Sequence, residues 1–270
     1  MTQAYATPPA IEFRDVSLAF DDLSLLEHIS FRVPRGAMRV LIGPSRCGKS
    51  TIIRLAIGLL RPDSGQILLE GREISHTSEE ELLPLRLDAG VVLQTDALFS
   101  MTVAENVGYR LARYGMDEAQ IETEVRRVLR IVDLEDAWSL APEELSGGMS
   151  RRVAIARAMA GSPRIMLYDS LCAGLDPITS RRLMAEIIRQ RDLAGVSSIY
   201  VTQNLDEVRY LCSRLGEAGP DGEMRLRRED TGFCVANTRV LMLTEGRLIF
   251  DREDELLWNA ADPRIREFVG

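Results

Sequence analysis

The segment GPSRCGKS, Gly43–Ser50, limits the possible folds of this chain more than any other stretch of its 270 residues. It matches the pattern G-x-x-x-x-G-K-[ST], follows the apolar run MRVLI, and precedes residues up to Leu60 whose apolar side chains recur at helical spacing. A glycine-rich turn between a buried strand and a helix directs backbone N–H groups and the positive end of the helix dipole toward one point. The segment therefore predicts a phosphate-binding loop in an α/β core, in preference to a fortuitous glycine-rich turn.

The residue types inside this loop predict how the contacts to a bound nucleotide are shared. Lys49 is expected to neutralise the β and γ phosphates, Ser50 to hold Mg²⁺, and Thr51 to donate to the α phosphate. The remaining predicted contacts are Gly43, Pro44, Ser45, Arg46, Cys47 and Gly48. Arg46 is unusual here, because a small residue or glycine is commoner at this position, and it adds positive charge at the outer rim of the loop.

Two further segments fit the same chemistry. The apolar run RIMLYD ends in Asp169, which beside a phosphate loop is expected to accept a hydrogen bond from a Mg²⁺-bound water next to Ser50. The segment LSGG opens a long helix, so that Ser146, Gly147 and Gly148 would expose backbone N–H groups to an anion. An ordinary helix cap would explain LSGG if it stood alone, but its place between the phosphate loop and Asp169 favours a nucleotide contact.

The order of the predicted elements indicates the fold class. A β-rich N-terminus is followed by an α/β segment, a helical stretch and a second α/β segment. This order predicts an α/β fold: a P-loop nucleotide-binding core with a mostly parallel sheet, an antiparallel β subdomain and a helical subdomain. In the helical stretch, Thr102 with Glu105 and Asp117 with Gln120 have the spacing of capping boxes and predict two helix starts.

We expect one domain, with an insertion near its end. The predicted parts of the single domain 1–270 are a core of residues 11–94 and 163–270, a helical subdomain of residues 95–162 that carries LSGG, and an insertion at residues 213–237. The insertion contains the turn residues AGPDG next to the segment EMRLRRE, which predicts a protruding hairpin. A tolerated surface insertion is favoured over contact with a partner or a regulatory role.

Charge and composition exclude several classes of protein. A formal net charge of −8 argues against a nucleic-acid binder, because phosphate backbones are bound by clustered Lys and Arg. The basic pairs are scattered and predicted to lie on solvated helix faces: Arg126-Arg127, Arg151-Arg152, Arg181-Arg182 and Arg227-Arg228. The four cysteines show no C-x-x-C spacing, which disfavours a zinc site and fits a reducing cytosol. No apolar run approaches the roughly 20 residues of a membrane span, and the N-terminus lacks a signal-peptide pattern, so any membrane role is expected to be peripheral.

The segments GPSRCGKST, VVLQ with Gln94 at its end, LSGGM, YDS, AGLDP and VTQN, in this order, resemble the ATP-binding cassette family across residues 11–270. The resemblance implies ATP and Mg²⁺ as cofactors and a head-to-tail homodimer that sandwiches two ATP molecules. Each nucleotide would lie between the phosphate loop of one subunit and Ser146, Gly147 and Gly148 of the other. The resemblance also implies an integral membrane permease as a partner, whereas nucleic acid is not expected.

Three further residues take their expected roles from the resemblance. Phe20 corresponds by position to the aromatic residue on which adenine stacks, and a core phenylalanine on an alternating strand is the alternative. Gln94 corresponds to the glutamine that reaches Mg²⁺ and the membrane partner, with Ser50 and Asp169 as the other metal-binding residues. Asp176, which is also expected to cap a helix, corresponds to the residue that communicates across the dimer.

Shorter features narrow the resemblance further. Met149 stands where the signature usually has glutamine, and QTDALFSMTVAENVGYRL, LDPITS and the closing ADPRIREFVG are similar to the ATPase subunit of Mla-type phospholipid transporters. This implies a lipid cargo and a place at the cytoplasmic face of the inner membrane. The alternative is a non-transport family member that acts as a nucleotide-gated switch, but such proteins usually carry coiled coils, tandem cassettes or basic surfaces. A P-loop kinase would have no use for LSGG or AGLDP.

Two positions depart from the family pattern. Ser170 stands where an acidic residue polarises the attacking water, and Gln203 stands where a histidine contacts the γ phosphate. A serine hydroxyl cannot accept a proton from water near neutral pH, so we expect intact ATP binding and ATP-driven dimerisation with slow hydrolysis. Asp206 and Glu207 are alternative bases, disfavoured because they lie about a turn beyond Gln203. The predicted catalytic residues are Lys49, Gln94, Asp169, Ser170 and Gln203.

Overall fold

The structure is a computed structural model that describes residues 7–21, 23–95, 97–219, 223–228, 237–252 and 257–270. Its strands are β1 (Ile11–Phe20), β2 (Leu23–Val33), β3 (Met38–Ile42), β4 (Ser64–Leu69), β5 (Arg72–Glu73), β6 (Ala89–Val92), β7 (Ile165–Asp169), β8 (Ser197–Val201), β9 (Arg214–Ala218), β10 (Met224–Arg228), β11 (Thr238–Thr244) and β12 (Arg247–Arg252). Its helices are α1 (Lys49–Ala56), α2 (Glu79–Leu87), α3 (Val103–Arg113), α4 (Glu118–Ile131), α5 (Gly147–Met159), α6 (Pro177–Asp192), α7 (Leu205–Cys212) and α8 (Pro263–Val269).

The centre of the fold is a six-stranded sheet in the order β12-β11-β3-β8-β7-β6. Strands β11, β3, β8, β7 and β6 are parallel to one another, whereas β12 pairs with β11 antiparallel. All residues of β3, β7 and β8 are buried, because a parallel sheet that is covered on both faces requires continuous apolar strands. The predicted α/β core with a mostly parallel sheet is confirmed.

A second sheet, in the order β2-β1-β4-β5, is antiparallel throughout. Its strand β1 alternates buried and exposed residues over part of its length, as the sequence pattern predicts. On the buried face Phe13 stacks on Phe31 of β2 with ring centroids 4.6 Å apart. Both rings belong to one hydrophobic cluster with Leu41 of the core sheet, so the antiparallel subdomain packs directly on the core.

The helical layer contains α3, α4 and α5, and both predicted capping boxes are present. Thr102 accepts a hydrogen bond from the N–H of Glu105 at 3.3 Å, and Asp117 accepts one from the N–H of Gln120 at 2.8 Å. Each box satisfies backbone donors that the first turn of a helix leaves without partners. Within the described residues, no helix is long and apolar enough to cross a membrane.

Two helices differ from the sequence pattern. The apolar spacing continues to Leu60, but α1 ends at Ala56, because Gly58 adopts a left-handed backbone with φ 67° and closes the helix. Helix α2 was not indicated by the sequence, since Pro84 lies inside it and a proline removes one helical hydrogen bond. A capping box at Ser78 nevertheless starts this helix.

The insertion forms a hairpin of β9 and β10 in its described part. Strand β9 is fixed to α6, because the N–H of Gly216 donates to Asp192 at 2.7 Å. The buried guanidinium of Arg191 donates to the carbonyl of Arg214 at 2.6 Å and to the hydroxyl of Thr238 at 2.9 Å. One side chain therefore anchors both ends of the insertion. Most of the predicted turn, residues 220–222, and residues 229–236 lie outside the described ranges.

Candidate functional site

The strand order brings four separate segments of the chain to one edge of the core sheet. The carboxyl ends of the parallel strands β3, β8, β7 and β6 lie side by side at this edge, where α/β sheets bind ligands. The phosphate loop follows β3, Gln203 follows β8, Asp169 ends β7, and the exposed Gln94 follows β6. Residues that are distant in the sequence therefore share one edge, as their predicted roles require.

The backbone of the phosphate loop adopts conformations that require glycine and packs closely against β11. Gly43 has φ 143°, and a Cβ atom there would lie 2.0 Å from the carbonyl oxygen of Leu243 on β11. Gly48 has φ 103° and begins α1 without a side-chain cap, and the first turn contains no acidic residue. Arg46 also adopts a left-handed backbone, with φ 64°, which favours glycine. The uncapped N–H groups at the start of α1 fit a phosphate group.

Lys49 is buried and folds back across this loop. Its Nζ donates to the carbonyls of Gly43 at 2.8 Å and Pro44 at 2.5 Å, and lies 3.7 Å from Sγ of Cys47. Burial raises the pKa of the Cys47 thiol, although the nearby ammonium opposes that shift. The contacts of Lys49 place a positive charge inside the loop, where it would neutralise phosphate oxygens. The loop therefore fits the phosphates of a nucleotide.

Ser50 and Asp169 offer oxygen atoms to a metal ion. Asp169 is buried at the end of β7, Ser50 is partly buried in the first turn of α1, and Thr51 is buried beside it. Within the described residues, no group of three or more His, Cys, Asp or Glu side chains could hold a metal ion. Mg²⁺ usually binds through one or two protein oxygens together with substrate phosphates and water. This donor set therefore fits Mg²⁺ that is bound together with a nucleotide.

The two residues that depart from the family pattern both lie at this edge. Oε1 of Gln203 accepts a hydrogen bond from the hydroxyl of Ser45, in the phosphate loop, at 3.2 Å. Ser170 has φ 55°, its N–H donates to the carbonyl of Val201 at 3.0 Å, and its own carbonyl accepts from Arg151 at 2.9 Å. Gln203 therefore contacts the phosphate loop, Ser170 lies at the carboxyl end of β7, and neither side chain is a proton acceptor at neutral pH.

The two alternative bases are not arranged for that role. Oε2 of Glu207 accepts hydrogen bonds from the hydroxyls of Tyr200 at 2.7 Å and Thr202 at 2.8 Å, and the residue is buried. Glu207 therefore braces the turn after β8 from inside the protein. Asp206 is exposed, and its carboxylate lies 3.6 Å from the guanidinium of Arg209. The preference against both residues as bases stays a prediction.

The LSGG segment forms the start of α5. Ser146 is the N-cap, and its hydroxyl accepts a hydrogen bond from the N–H of Met149 at 3.2 Å. A Cβ atom added at Gly147 or Gly148 would meet no atom within 4 Å. Packing inside the subunit therefore does not require glycine at either position. The open space lies at the positive end of the helix dipole, which favours an anion.

We expect Gly147→Val to leave folding and ATP binding by the single subunit unchanged while ATP-dependent dimerisation weakens at least about tenfold. The new side chain has room in the isolated subunit. In the expected head-to-tail dimer it would occupy the space through which a second subunit would present its nucleotide. Light scattering with ATP and Mg²⁺ measures the dimer, and the melting temperature checks the fold. If the variant dimerises at the same ATP concentration as the native protein, this helix start does not face a nucleotide.

Two other predicted contacts lie at exposed positions. Phe20 is 51% exposed at the end of β1, opposite Leu23, so it is not a core residue, and its ring is free to stack on a planar base. Asp176 caps α6 and accepts from the N–H groups of Ile178 at 3.0 Å and Thr179 at 2.9 Å. Hydrogen bonds from the side chain and then the backbone of Thr179 lower the pKa of Asp176, which keeps its carboxylate ionised.

Arg151 is a residue of this edge that the sequence did not reveal. The prediction of a solvated basic pair is wrong for Arg151, which is buried although it lies on α5 beside Arg152. Among the described residues, its guanidinium donates to the backbone carbonyls of Leu93, Gln94, Asp169 and Ser170. The available signal was its place on the helix that LSGG opens, five positions after Ser146. The charge pattern alone does not distinguish Arg151 from Arg152.

Comparison with known proteins identifies the family. The sequence profile described as ABC transporter matches residues 26–173, which is more than half of the chain. The chain belongs to the ABC transporter family. The matched range includes the phosphate loop, the LSGG segment and Asp169, so the family assignment rests on the same segments that the fold brings together.

Several curated proteins are similar to this chain. The methionine import ATP-binding protein MetN of Corynebacterium jeikeium is 40% identical over 212 residues, covering 76% of this chain and 57% of that protein. The spermidine/putrescine import ATP-binding protein PotA of Pseudomonas aeruginosa is 35% identical over 234 residues, with 86% and 63% covered. The Fe(3+) ions import ATP-binding protein FbpC of Escherichia coli is 35% identical over 198 residues, with 73% and 56% covered. The matches thus span about three fifths of these relatives' lengths.

Solved structures support the fold. A dimeric ATP-binding cassette in a post-hydrolysis state, bound to ADP and Pi, aligns with a TM-score of 0.76 and 24% identity, covering 90% of this chain and 98% of that chain. A bacterial Atm1-family ABC exporter with ATP bound aligns with a TM-score of 0.75 and 24% identity, with 98% and 42% covered. The α/β fold of ABC ATPases, with its antiparallel and helical parts, is therefore shown.

Proposed function

We propose that this chain is the ATP-binding subunit of an ABC transporter and couples ATP binding to the work of a separate membrane permease. The observation that carries this proposal is the single sheet edge at which the phosphate loop, Asp169, Gln203 and Gln94 meet. The relatives MetN, PotA and FbpC are described as import ATP-binding proteins, which supports a role in transport.

The chain's own residues would bind and orient ATP at this edge. Lys49 and the uncapped start of α1 would neutralise the phosphates, and the exposed ring of Phe20 would stack on adenine. Ser50, Asp169 and Gln94 would hold Mg²⁺, which when bound neutralises charge on the phosphates. These interactions stabilise ATP through fixed charges and dipoles and do not require a proton acceptor.

We further propose that hydrolysis is slow. Ser170 cannot accept a proton from the attacking water, and the amide of Gln203 can donate a hydrogen bond but carries no charge. The retained loop and metal-binding residues still position the phosphates, which supplies much of the acceleration in phosphoryl transfer. ATP would therefore be held well, drive dimerisation, and be cleaved at a low rate.

The proposed active unit is a head-to-tail homodimer. The phosphate loop supplies one side of a nucleotide site, and the start of α5 supplies an open anion-binding surface with no packing role inside the subunit. The partner's Ser146, Gly147 and Gly148 would close each site over the phosphates. Asp176, whose ionised carboxylate caps α6, would contribute to communication between the two sites.

An exposed apolar surface on α2 and α3 supports a permease partner. Leu83 on α2 is 55% exposed and Phe99 is 44% exposed, and Tyr109 of α3 lies against Phe99 with ring centroids 4.8 Å apart. These three residues, which we call the apolar patch, line a groove of about 490 Å³ between α2, α3, α5 and β6, together with Arg110, Arg113 and Arg157. A permease segment would cover the patch, which would place the chain at the cytoplasmic face of the inner membrane as a peripheral subunit.

The proposed cargo rests on two sequence features. Met149 and the C-terminal ADPRIREFVG favour a lipid, as in Mla-type transporters. The relatives named above are described as importing methionine, polyamines and iron, so the family as such leaves the cargo open. We retain phospholipid as the proposed cargo.

A detergent pull-down of the tagged chain with ATP and Mg²⁺ tests the transporter role. Recovery of a polytopic membrane protein is the expected result, and co-purified phospholipid would support the proposed cargo. Recovery of nucleic acid or ribosomes without a membrane protein would instead favour the alternative function, a nucleotide-gated switch.

Two leucine variants locate the permease contact. Leu83→Glu is expected to abolish recovery of the membrane protein, because it places a charge in the apolar patch. Leu193→Glu is the matched control, since Leu193 is 43% exposed at the end of α6, outside the patch. Equal recovery with both variants would show that the permease docks elsewhere.

A further inference from the structure

Arg151 joins two strand ends that carry predicted metal-binding residues. Its Nη2 donates to the carbonyls of Asp169 at 3.2 Å and Ser170 at 2.9 Å. Its Nη1 donates to the carbonyl of Leu93, and to that of Gln94 at 3.4 Å. One buried guanidinium thus binds the backbone just beyond β6 and at the end of β7, two neighbouring strands of the core sheet.

These contacts constrain the side chains that hang from the same backbone. Asp169 and Gln94 are the predicted metal-binding residues at the ends of these two strands. Because Arg151 binds the backbone carbonyls of both residues, it helps to set the distance between their Cα atoms. A guanidinium is planar and presents its N–H donors in a fixed fork, which suits binding two separate groups of carbonyls at once. A lysine ammonium at the same place is a single point of charge and cannot reproduce that geometry.

The same side chain links this arrangement to the LSGG segment. Arg151 follows Ser146 by five residues on α5, a distance of roughly 7.5 Å along a rigid helix. A rigid-body shift of α5 would therefore move the guanidinium that contacts the carbonyls at the ends of β6 and β7. None of the four carbonyl contacts involves the phosphate loop, residues 43–50.

We propose that Arg151 is a positioning residue. It sets the distance from Gln94, beyond β6, to Asp169 and Ser170, at the end of β7, and makes that distance depend on the position of the start of α5. This inference rests on the proposed binding of ATP and Mg²⁺. It separates two properties of the site: the affinity for metal and the rate of hydrolysis depend on Arg151, whereas the affinity of the phosphate loop for nucleotide does not. Residues that orient metal ligands typically change metal affinity or activity by 10–100-fold when they are replaced.

The test compares Arg151→Gln and Arg151→Lys with Arg152→Gln. Arg152 is a matched control on the same helix, and its guanidinium donates at 3.0 Å to the carbonyls of Val132 and Asp133, away from the sheet edge. Nucleotide affinity is measured with ATP in EDTA. Metal affinity of the ATP-loaded protein is measured with Mn²⁺ as the probe, from the electron paramagnetic resonance signal of free Mn²⁺. Phosphate release and melting temperature are recorded for each variant.

We expect Arg151→Gln to weaken Mn²⁺ binding by about 10–100-fold and to slow phosphate release, with ATP affinity in EDTA within about twofold of the native value. Arg151→Lys should recover part of the loss, and Arg152→Gln should match the native protein. Native Mn²⁺ affinity in a folded Arg151 variant, or an equal loss of ATP affinity in EDTA, would overturn the inference. If Arg151→Gln does not fold, Arg151→Lys, which preserves the buried charge, takes its place in the test. Native Mn²⁺ affinity in Arg151→Lys would then overturn the inference. A native chain that binds no ATP would instead refute the proposed function, and the inference with it.

Discussion

Ser170→Glu combined with Gln203→His is expected to raise the rate of ATP hydrolysis by about 10²–10⁴-fold. Glutamate can accept a proton from the attacking water and serine cannot, a difference of about 3–5 kcal/mol in the barrier. The structure favours a correctly placed carboxylate, because the backbone of Ser170 is held by Val201, Arg151 and the N–H of Ala173 at 3.1 Å. Ser170 is also partly exposed, which leaves room for a longer side chain.

The matched control is Ser170→Gln with Gln203→His, which has the shape of the restored site but no proton acceptor. Phosphate release at saturating ATP and Mg²⁺ measures turnover, and a separate titration measures nucleotide affinity. The control should turn over like the native chain. If the native chain already hydrolyses ATP as fast as the Glu-His variant, Ser170 and Gln203 do not limit hydrolysis. An equal increase in the Gln-His control would show that the added bulk or the histidine, and not the carboxylate, is responsible.

The features that the sequence predicts well are decided by neighbouring residues. The phosphate loop needs a buried strand, a glycine-rich turn and a helix in direct succession, and all three are visible in one short segment around Lys49. Asp169 ends a continuous apolar run, and Asp176 precedes a proline at a helix start, so each position is marked by its local pattern.

The features that the sequence did not predict depend on contacts between distant segments. Arg151 and Arg152 are adjacent residues of the same type, yet only Arg151 is buried, where it donates to backbone carbonyls at two strand ends. Glu207 looks like an acidic residue on a helix surface, but Tyr200 lies beneath it and donates a hydrogen bond. Burial of a charge is decided by the partners that meet it. Those of Arg151 come from other parts of the chain, whereas those of Glu207 lie on the strand and turn just before its helix and become visible only once that turn is formed.

Gly43→Ala is expected to weaken ATP binding by about 10²-fold while most of the fold is retained. The added Cβ would lie 2.0 Å from the carbonyl oxygen of Leu243 and 3.1 Å from Sγ of Cys47, so the loop must move away from β11. That movement displaces the carbonyl of Gly43, which anchors Lys49 at 2.8 Å. Charge-assisted hydrogen bonds contribute about 1.5–3 kcal/mol each, and a misplaced lysine forfeits that contribution to phosphate binding.

Gly115→Ala separates the effect of this contact from the effect of backbone strain. Gly115 also has a left-handed backbone, with φ 72°, but a Cβ atom there would meet nothing within 4 Å. Alanine at Gly115 should therefore cost about 1–2 kcal/mol of stability from its φ angle and leave ATP affinity unchanged. Calorimetric titration with ATP and thermal unfolding of both variants make the comparison. If Gly43→Ala binds ATP like Gly115→Ala, contact with β11 does not shape the loop, and the link from Leu243 through Gly43 to Lys49 is wrong.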